Sequence, residues 1–201
     1  MHANAVARPF SRPGWLFELK YDGFRVLAVK EDGRSRLLSR SGRDMAKSFP
    51  ELVAALERLP NLALDGELVV CDAAGRPQFQ QLRRRALRTK HLAEAVAAMP
   101  ACIYAFDLLA LKGEDLRARP LIDRKRLLKR TLGRSERIRY LDHVDEHGEA
   151  LYAEIERLEL EGMVAKDAAS MYRPGRSHAW LKVKTPAARD IERNRLRHLN
   201  P

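Results

Sequence analysis

ELKYDGFR, residues 18–25, sets a lysine inside an apolar run and against an Asp-Gly pair. Upstream, Trp15, Phe17, Leu19 and Tyr21 alternate with Leu16, Glu18 and Lys20. A strand over 15–21 would bury the first set on one face and put Glu18 and Lys20 together on the other. Asp22-Gly23 reads as a turn, and FRVLAVK (24–30) resumes the apolar pattern. The lysine therefore sits at a strand end, where backbone and side chains can converge on a ligand. A solvent-facing Glu-Lys pair beside a hairpin is the alternative.

Working outward, residues 24–39 read as a hairpin closed around Asp32-Gly33. FPELVAALERL (49–59) places Leu52, Ala55, Leu56 and Leu59 on one helical stripe. NLALDGELVV (61–70) returns to strand character, interrupted by a second Asp-Gly pair. Residues 77–99 read as helical, ACIYAFDLLAL (101–111) as a buried strand and PLIDRKRLLKRTL (120–132) as a basic helix. Leu151, Ile155 and Leu158 mark a further helix ending near Gly162, followed by strands at 162–167 and 179–185 with RPGRSH (173–178) as the loop between them. Helices separate groups of hairpin-linked strands, so the class is α+β with largely antiparallel sheets.

The 201 residues are 45% hydrophobic, enough for one domain, or two lobes around a cleft, with a sizeable core. Lys and Arg number 38 against 27 acidic residues, a formal charge of +11, which points to a polyanionic partner. The densest basic stretches, 83–91 and 124–130, are candidate DNA contacts or solvated helix faces. Cys71 and Cys102 are too few for a disulfide framework or a four-cysteine zinc site and read as buried small residues, in keeping with a reducing cytoplasm. No segment approaches the roughly 18 apolar residues of a membrane span, and MHANAVARPF has no signal-peptide core.

Polar residues interrupt the apolar strands at five further places: SRSG (39–42) with Arg40, LDGELVV (64–70) with Glu67, YAFDLL (104–109) with Phe106 and Asp107, LEGMVAKD (160–167) with Glu161 and Lys166, and WLKVKT (180–185) with Lys182 and Lys184. In the last, alternation puts Trp180, Lys182 and Lys184 on one face, a phosphate site in outline. The ordered set KYDGFR, SRSG, DGEL, YAFDLL, EGMVAK and LKVK resembles the nucleotidyltransferase superfamily of ATP-dependent DNA ligases, RNA ligases and mRNA capping enzymes, across residues 18–185. Its wording is most similar to the ligase domain of bacterial end-joining ligases.

That resemblance implies two largely antiparallel sheets with flanking helices around a nucleotide cleft, an ATP-grasp-like arrangement. It implies Lys20 as the nucleophile that takes AMP from ATP, for transfer to a 5′-phosphate of nicked duplex DNA. Glu18 is assigned to the adenine edge, with Leu19 beside it; Phe106 to stacking on the base; Arg25 and Arg40 to ribose or phosphate; Glu67 and Glu161 to ribose or to Mg²⁺ or Mn²⁺. Lys182 and Lys184 stabilise charge at the α-phosphate, and Asp22 shapes the turn beside Lys20. Residues 1–185 then form the adenylation domain, and 186–201 a basic tail too short for the OB-fold that follows in related ligases. The expectation is poor nick sealing unless an OB-fold or an end-joining repair protein acts in trans, in a cytoplasmic, nucleoid-associated setting in a bacterium. The alternatives are a nucleotide- or nucleic-acid-binding module of the same fold with little catalysis, and an RNA ligase.

Overall fold

The computed structural model describes residues 1–190; of the tail predicted over 186–201, residues 186–190 are helical and 191–201 lie outside the described residues. The chain folds as two compact units, one formed by Met1–Tyr21 with the described residues from Asp142 on, the other by Asp22–Leu141. Each carries a mixed sheet and helices, which makes the molecule α+β.

In the first unit a five-stranded sheet runs in the order β1 (His2–Ala5), β11 (Arg176–Lys184), β10 (Gly162–Asp167), β2 (Trp15–Leu19), β9 (Val144–Asp145). Only the β1–β11 pairing is parallel. Helix α5 (Gly148–Arg157) buries Tyr152 and Ile155 against Phe17, Met163, Ala165 and Val183. Those four are alternate residues of β2, β10 and β11, so the period of two turns every second side chain of three neighbouring strands to the helix. The partner residues, from Leu16 and Glu18 to Lys166 and Trp180, fall on the opposite face. The predicted face assignment for Trp15, Phe17 and Leu19 holds, since all three belong to the α5 cluster. β11 begins at Arg176, so the predicted loop over 173–178 is in part strand.

The second unit has the sheet order β4 (Arg34–Ser39), β3 (Phe24–Glu31), β5 (Leu62–Val70), β6 (Ala101–Leu111), β7 (Glu114–Asp115), with β8 (Ile138–Tyr140) parallel to β6. Its helices are α1 (Pro50–Glu57), α2 (Phe79–Ala86), α3 (Leu92–Ala98) and α4 (Leu121–Leu132). The β3–β4 hairpin turns at Asp32 and Gly33, whose φ angles of 48° and 74° are those of a two-residue loop matched to strand twist. Asp22-Gly23, by contrast, closes no hairpin: β2 and β3 belong to different sheets.

Three further expectations change. The helical stretch over 77–99 is two helices, parted at residues 87–91, the last of which, His91, has a left-handed φ of 52°. Asp65-Gly66 is no interruption: β5 runs straight through it, and a Cβ at Gly66 would stand 2.7 Å from Ile103 Cγ2 and 2.9 Å from the Tyr104 carbonyl. The glycine serves close packing of β5 on β6, not a turn. The basic stretches are not simply solvated faces. Arg85 is fully buried, 3.0 Å from the Glu51 carboxylate, and its guanidinium lies 5.0 Å from the centre of the Phe49 ring. Arg124 and Lys125 are buried as well, Lys125 donating to the Leu141 carbonyl at 2.9 Å. Exposed cations of these stretches include Arg83, Arg84, Arg88 and Lys90.

Candidate active site

Lys20 follows directly on β2, and its backbone N–H donates to the Gly162 carbonyl at 2.9 Å, so the start of β10 fixes where the lysine leaves the sheet. Its ammonium reaches the Glu161 carboxylate, 2.8 Å from Oε1 and 2.9 Å from Oε2. Lys184, at the end of β11, brings its own ammonium to 3.4 Å from the same Oε1. One carboxylate thus holds two lysines from different strands.

The segment carrying Glu161 is pinned on both sides. The Thr185 N–H donates to the Glu161 carbonyl at 3.0 Å and the Thr185 hydroxyl to the Leu160 carbonyl at 2.9 Å. The Tyr152 hydroxyl donates to the Lys184 carbonyl at 3.2 Å. Gly162 has a φ of 151°, and a Cβ there would run into the Val183 carbonyl oxygen and lie 2.9 Å from Lys184 Cα. Only glycine lets Glu161 come this close to the end of β11.

Further along the same face Glu18 is 1% exposed and Lys166 is 1% exposed, with Nζ 2.6 Å from the Glu18 Oε2. Glu18 is therefore no solvent-facing strand residue. The Lys166 ammonium stands 4.2 Å from the centre of the Trp180 ring, and Tyr172 meets that ring edge-on at 6.1 Å. Register explains the grouping: Lys166 lies opposite Trp180 on β11, and Val164 opposite Glu18 on β2 and Lys182 on β11. The face carries Lys20, Lys166, Lys182 and Lys184 against Glu18 and Glu161, an excess of cations suited to an anionic ligand.

In the second unit Arg25 makes a bidentate pair with Asp65, Nε to Oδ1 at 3.0 Å and the terminal nitrogen to Oδ2 at 2.6 Å. The guanidinium lies 5.7 Å from the centre of the Phe106 ring. Between β5 and β6 the register passes from Asp65 opposite Asp107 to Gly66 opposite Ala105, so Phe106 is the bulged residue and leaves the alternation of its strand. Glu67, half-buried, lies opposite Arg25 on β3 and Tyr104 on β6. Asp107 is fully buried and accepts from Arg124 at 2.7 and 2.8 Å. Among the described residues no cluster of three His, Cys, Asp or Glu could hold a metal ion.

A model of the ATP dependent DNA ligase domain matches residues 2–184. The chain belongs to this family. It is 39% identical over 186 residues to the multifunctional non-homologous end joining protein LigD of Pseudomonas aeruginosa, covering 90% of this chain and 21% of that protein. To a DNA ligase of Thermococcus fumicolans it is 34% identical, covering 88% of this chain and 33% of the relative. Among solved structures, a mycobacterial DNA ligase D complexed with ATP superposes with a TM-score of 0.70 at 32% identity, covering 90% of this chain and 60% of that one. The ligase domain of Mycobacterium tuberculosis LigD gives 0.70 at 33% identity, covering 90% and 59%. The chain thus spans a fifth to a third of these curated relatives' lengths and about three fifths of the solved ligase chains.

Within this ligase domain the predicted residues Glu18, Leu19, Lys20, Glu161, Lys182 and Lys184 belong to the first unit, and Arg25, Arg40, Glu67 and Phe106 to the second. Lys20, Glu161 and Lys184 are joined by ion pairs. Leu19 packs with the α5 cluster, so its backbone is what it offers to the charged face. Arg40 is exposed after β4 and makes no ion pair among the described residues. Lys166 and Trp180, both singled out in the sequence, join the charged face of the first unit, and Asp65 is added beside Arg25 in the second. The Asp65-Gly66 pair has the composition of a turn and hides the partner of Arg25, whereas alternation within GMVAKD separates Val164 and Lys166 from Met163 and Ala165. No helix of the described residues is long and apolar enough to cross a membrane.

Proposed function

We propose that residues 1–185 form an adenylation domain that takes AMP from ATP onto Lys20 and passes it to a 5′-phosphate of nicked duplex DNA. The observation that carries this reading is the Lys20–Glu161–Lys184 cluster, a nucleophile-bearing strand end held 2.8 Å from a carboxylate and beside a second ammonium. Lys20 attacks as the neutral amine, and Glu161 stands where it can accept the departing proton. The Nζ–P bond forms as the bond between the α-phosphorus and the bridging oxygen breaks, and pyrophosphate leaves with that electron pair. A 5′-phosphate oxygen then displaces Lys20, which regains its proton, and attack by the neighbouring 3′-hydroxyl releases AMP and closes the strand.

Lys182 and Lys184 offset negative charge that shifts between phosphate oxygens in each step. Glu18 addresses the adenine edge, Phe106 the face of the base, and Arg25 and Arg40 the ribose or phosphates, with Asp65 holding the Arg25 guanidinium in one plane. A divalent cation bound with the triphosphate would supply charge neutralisation at the phosphates. A single carboxylate, Glu67 or Glu161, would contact it, which suits Mg²⁺, an ion that keeps water and phosphate ligands of its own.

The test is incubation with ATP labelled at the α-phosphate in Mg²⁺ or Mn²⁺. An acid-labile adenylate should form on the wild-type chain and be absent from Lys20→Ala at an unchanged melting temperature. Adenylate persisting on Lys20→Ala would remove the assignment.

A further inference from the structure

We infer that Cys71 and Cys102 are a redox-active thiol pair, a modification site at which a peroxide closes a disulfide between the end of β5 and the start of β6.

The chain has two cysteines, far apart in sequence, and folding sets them side by side. Val69 lies opposite Cys102 and Val70 opposite Ala101. Alternation therefore turns Cys71, two residues after Val69, to the same face as Cys102 and one step along the ladder. This is not the face that packs the core. Leu68, Val70, Ala101 and Ile103 belong to that cluster, and neither cysteine does. The face of the cysteines carries instead Glu67, Tyr104 opposite it, and Arg139 opposite Tyr104 on β8, with the Arg139 guanidinium 3.5 Å from the Tyr104 hydroxyl. Two thiols on the polar side of a sheet, beside a cation, are placed for chemistry as well as for packing.

The two sulfurs already interact, the Cys71 thiol donating to Cys102. That hydrogen bond, helped by burial, pushes the Cys71 thiol up. The same bond holds Cys102 below the usual thiol range against its burial, and the Arg139 and Arg137 guanidinium groups add to the effect. Cys102 is thus the thiolate that attacks and Cys71 the thiol that resolves. Cys71 is half-buried and Cys102 8% exposed, which suits a small oxidant.

The Cys102 sulfur attacks one peroxide oxygen, the O–O bond breaks, and the leaving hydroxide takes a proton to become water. Cys102 is then a sulfenic acid. The Cys71 sulfur gives up its proton and attacks the Cys102 sulfur, the S–O bond breaks, and a second water leaves. Two thiols and one peroxide have become one disulfide and two waters. A disulfide brings its Cβ atoms to about 3.5–4.5 Å, and the backbone at Cys71 is free to adjust. β5 ends at Val70, the residue continuing the ladder opposite Cys71 is Pro100, which has no N–H, and Cys71 bridges Pro77 instead. Residues 72–101, between the cysteines, carry α2, α3 and the basic stretch 83–91, so the bond closes that whole excursion onto the sheet.

The experiment treats the wild-type chain with hydrogen peroxide, then unfolds and alkylates it and counts free thiols by mass spectrometry. Both thiols should disappear together, peptide mapping should join Cys71 to Cys102 within one chain, and dithiothreitol should restore both. The melting temperature of the oxidised chain should stand about 5–15 °C above that of the reduced one, since the bond closes a loop of about 30 residues. Cys71→Ser should leave Cys102 to be trapped by dimedone as the sulfenic acid, while Cys102→Ser should keep Cys71 alkylatable under the same treatment. Two free thiols persisting in peroxide-treated wild type, a bond joining two chains instead of one, an unchanged melting temperature, or dimedone trapping at Cys71 in place of Cys102 overturns the inference. Wild type carries the decisive arm, so the outcome does not depend on either variant folding.

Discussion

Asp107 belongs to the YAFDLL segment, where a lone carboxylate beside Phe106 invites a catalytic reading. Asp107 and Arg124 are each 0% exposed, with Nε to Oδ1 at 2.7 Å and the terminal nitrogen to Oδ2 at 2.8 Å. Asp107 Oδ1 also accepts the Leu108 N–H at 2.9 Å, and Arg124 donates to the Arg119 carbonyl. The pair ties β6 to α4 and faces no solvent. Asp107→Ala would strand a guanidinium in the core, at a cost of about 3–5 kcal/mol. For a chain of 201 residues this lowers the melting temperature by about 6–20 °C, at about 2–4 °C per kcal/mol. Asp107→Leu combined with Arg124→Met removes both charges at similar volume and should recover most of the loss. Thermal unfolding followed by far-ultraviolet circular dichroism reads the stabilities. Adenylate formation, assayed well below every transition, should be closer to wild type in the double variant than in Asp107→Ala. Asp107→Ala melting within about 2 °C of wild type while losing adenylation would refute the reasoning and make Asp107 a ligand-contacting group.

Glu161→Gln preserves shape but withdraws the charge holding Lys20 and Lys184, so adenylate formation should fall by about 10²-fold or more with little change in melting temperature; a rate within threefold of wild type, or about that, would remove Glu161 from proton transfer. Gly162→Ala places a methyl group against the Val183 carbonyl and should destabilise by about 1–3 kcal/mol, read from denaturant unfolding; a neutral result would mean the strand end yields. Arg83, Arg84 and Arg88 are exposed and make no ion pair among the described residues. If they meet DNA phosphates, changing all three to Ala should flatten the salt dependence of nicked-duplex binding by about 0.9 per lost contact. Fluorescence anisotropy across a salt series reads this, and an unaltered slope would place the duplex elsewhere.

Much of this molecule follows from period alone. Alternation in WLFEL, GMVAK and AWLKVK separates apolar from charged positions before any strand has a partner, and that is a local property of an extended backbone. The six ordered motifs told the family for a related reason, since each is a short run whose chemistry sits in adjacent residues. Pairings across long stretches of chain had no such local trace. That Lys20 meets Glu161, 141 positions away, depends on β2 and β10 being neighbours in one sheet, and that Glu18 meets Lys166 depends on their exact register. The same holds where the sequence reading went astray. Asp-Gly has the composition of a turn, yet Asp65-Gly66 runs through a strand because β6 packs too close for a side chain at Gly66 and Arg25 is at hand to pair with Asp65. Arg85 and Arg124 look like solvated charges until Glu51 and Asp107 arrive from other elements to neutralise them. Burial of a charge is decided by the partner that tertiary structure supplies, and no window of sequence contains both halves of the pair.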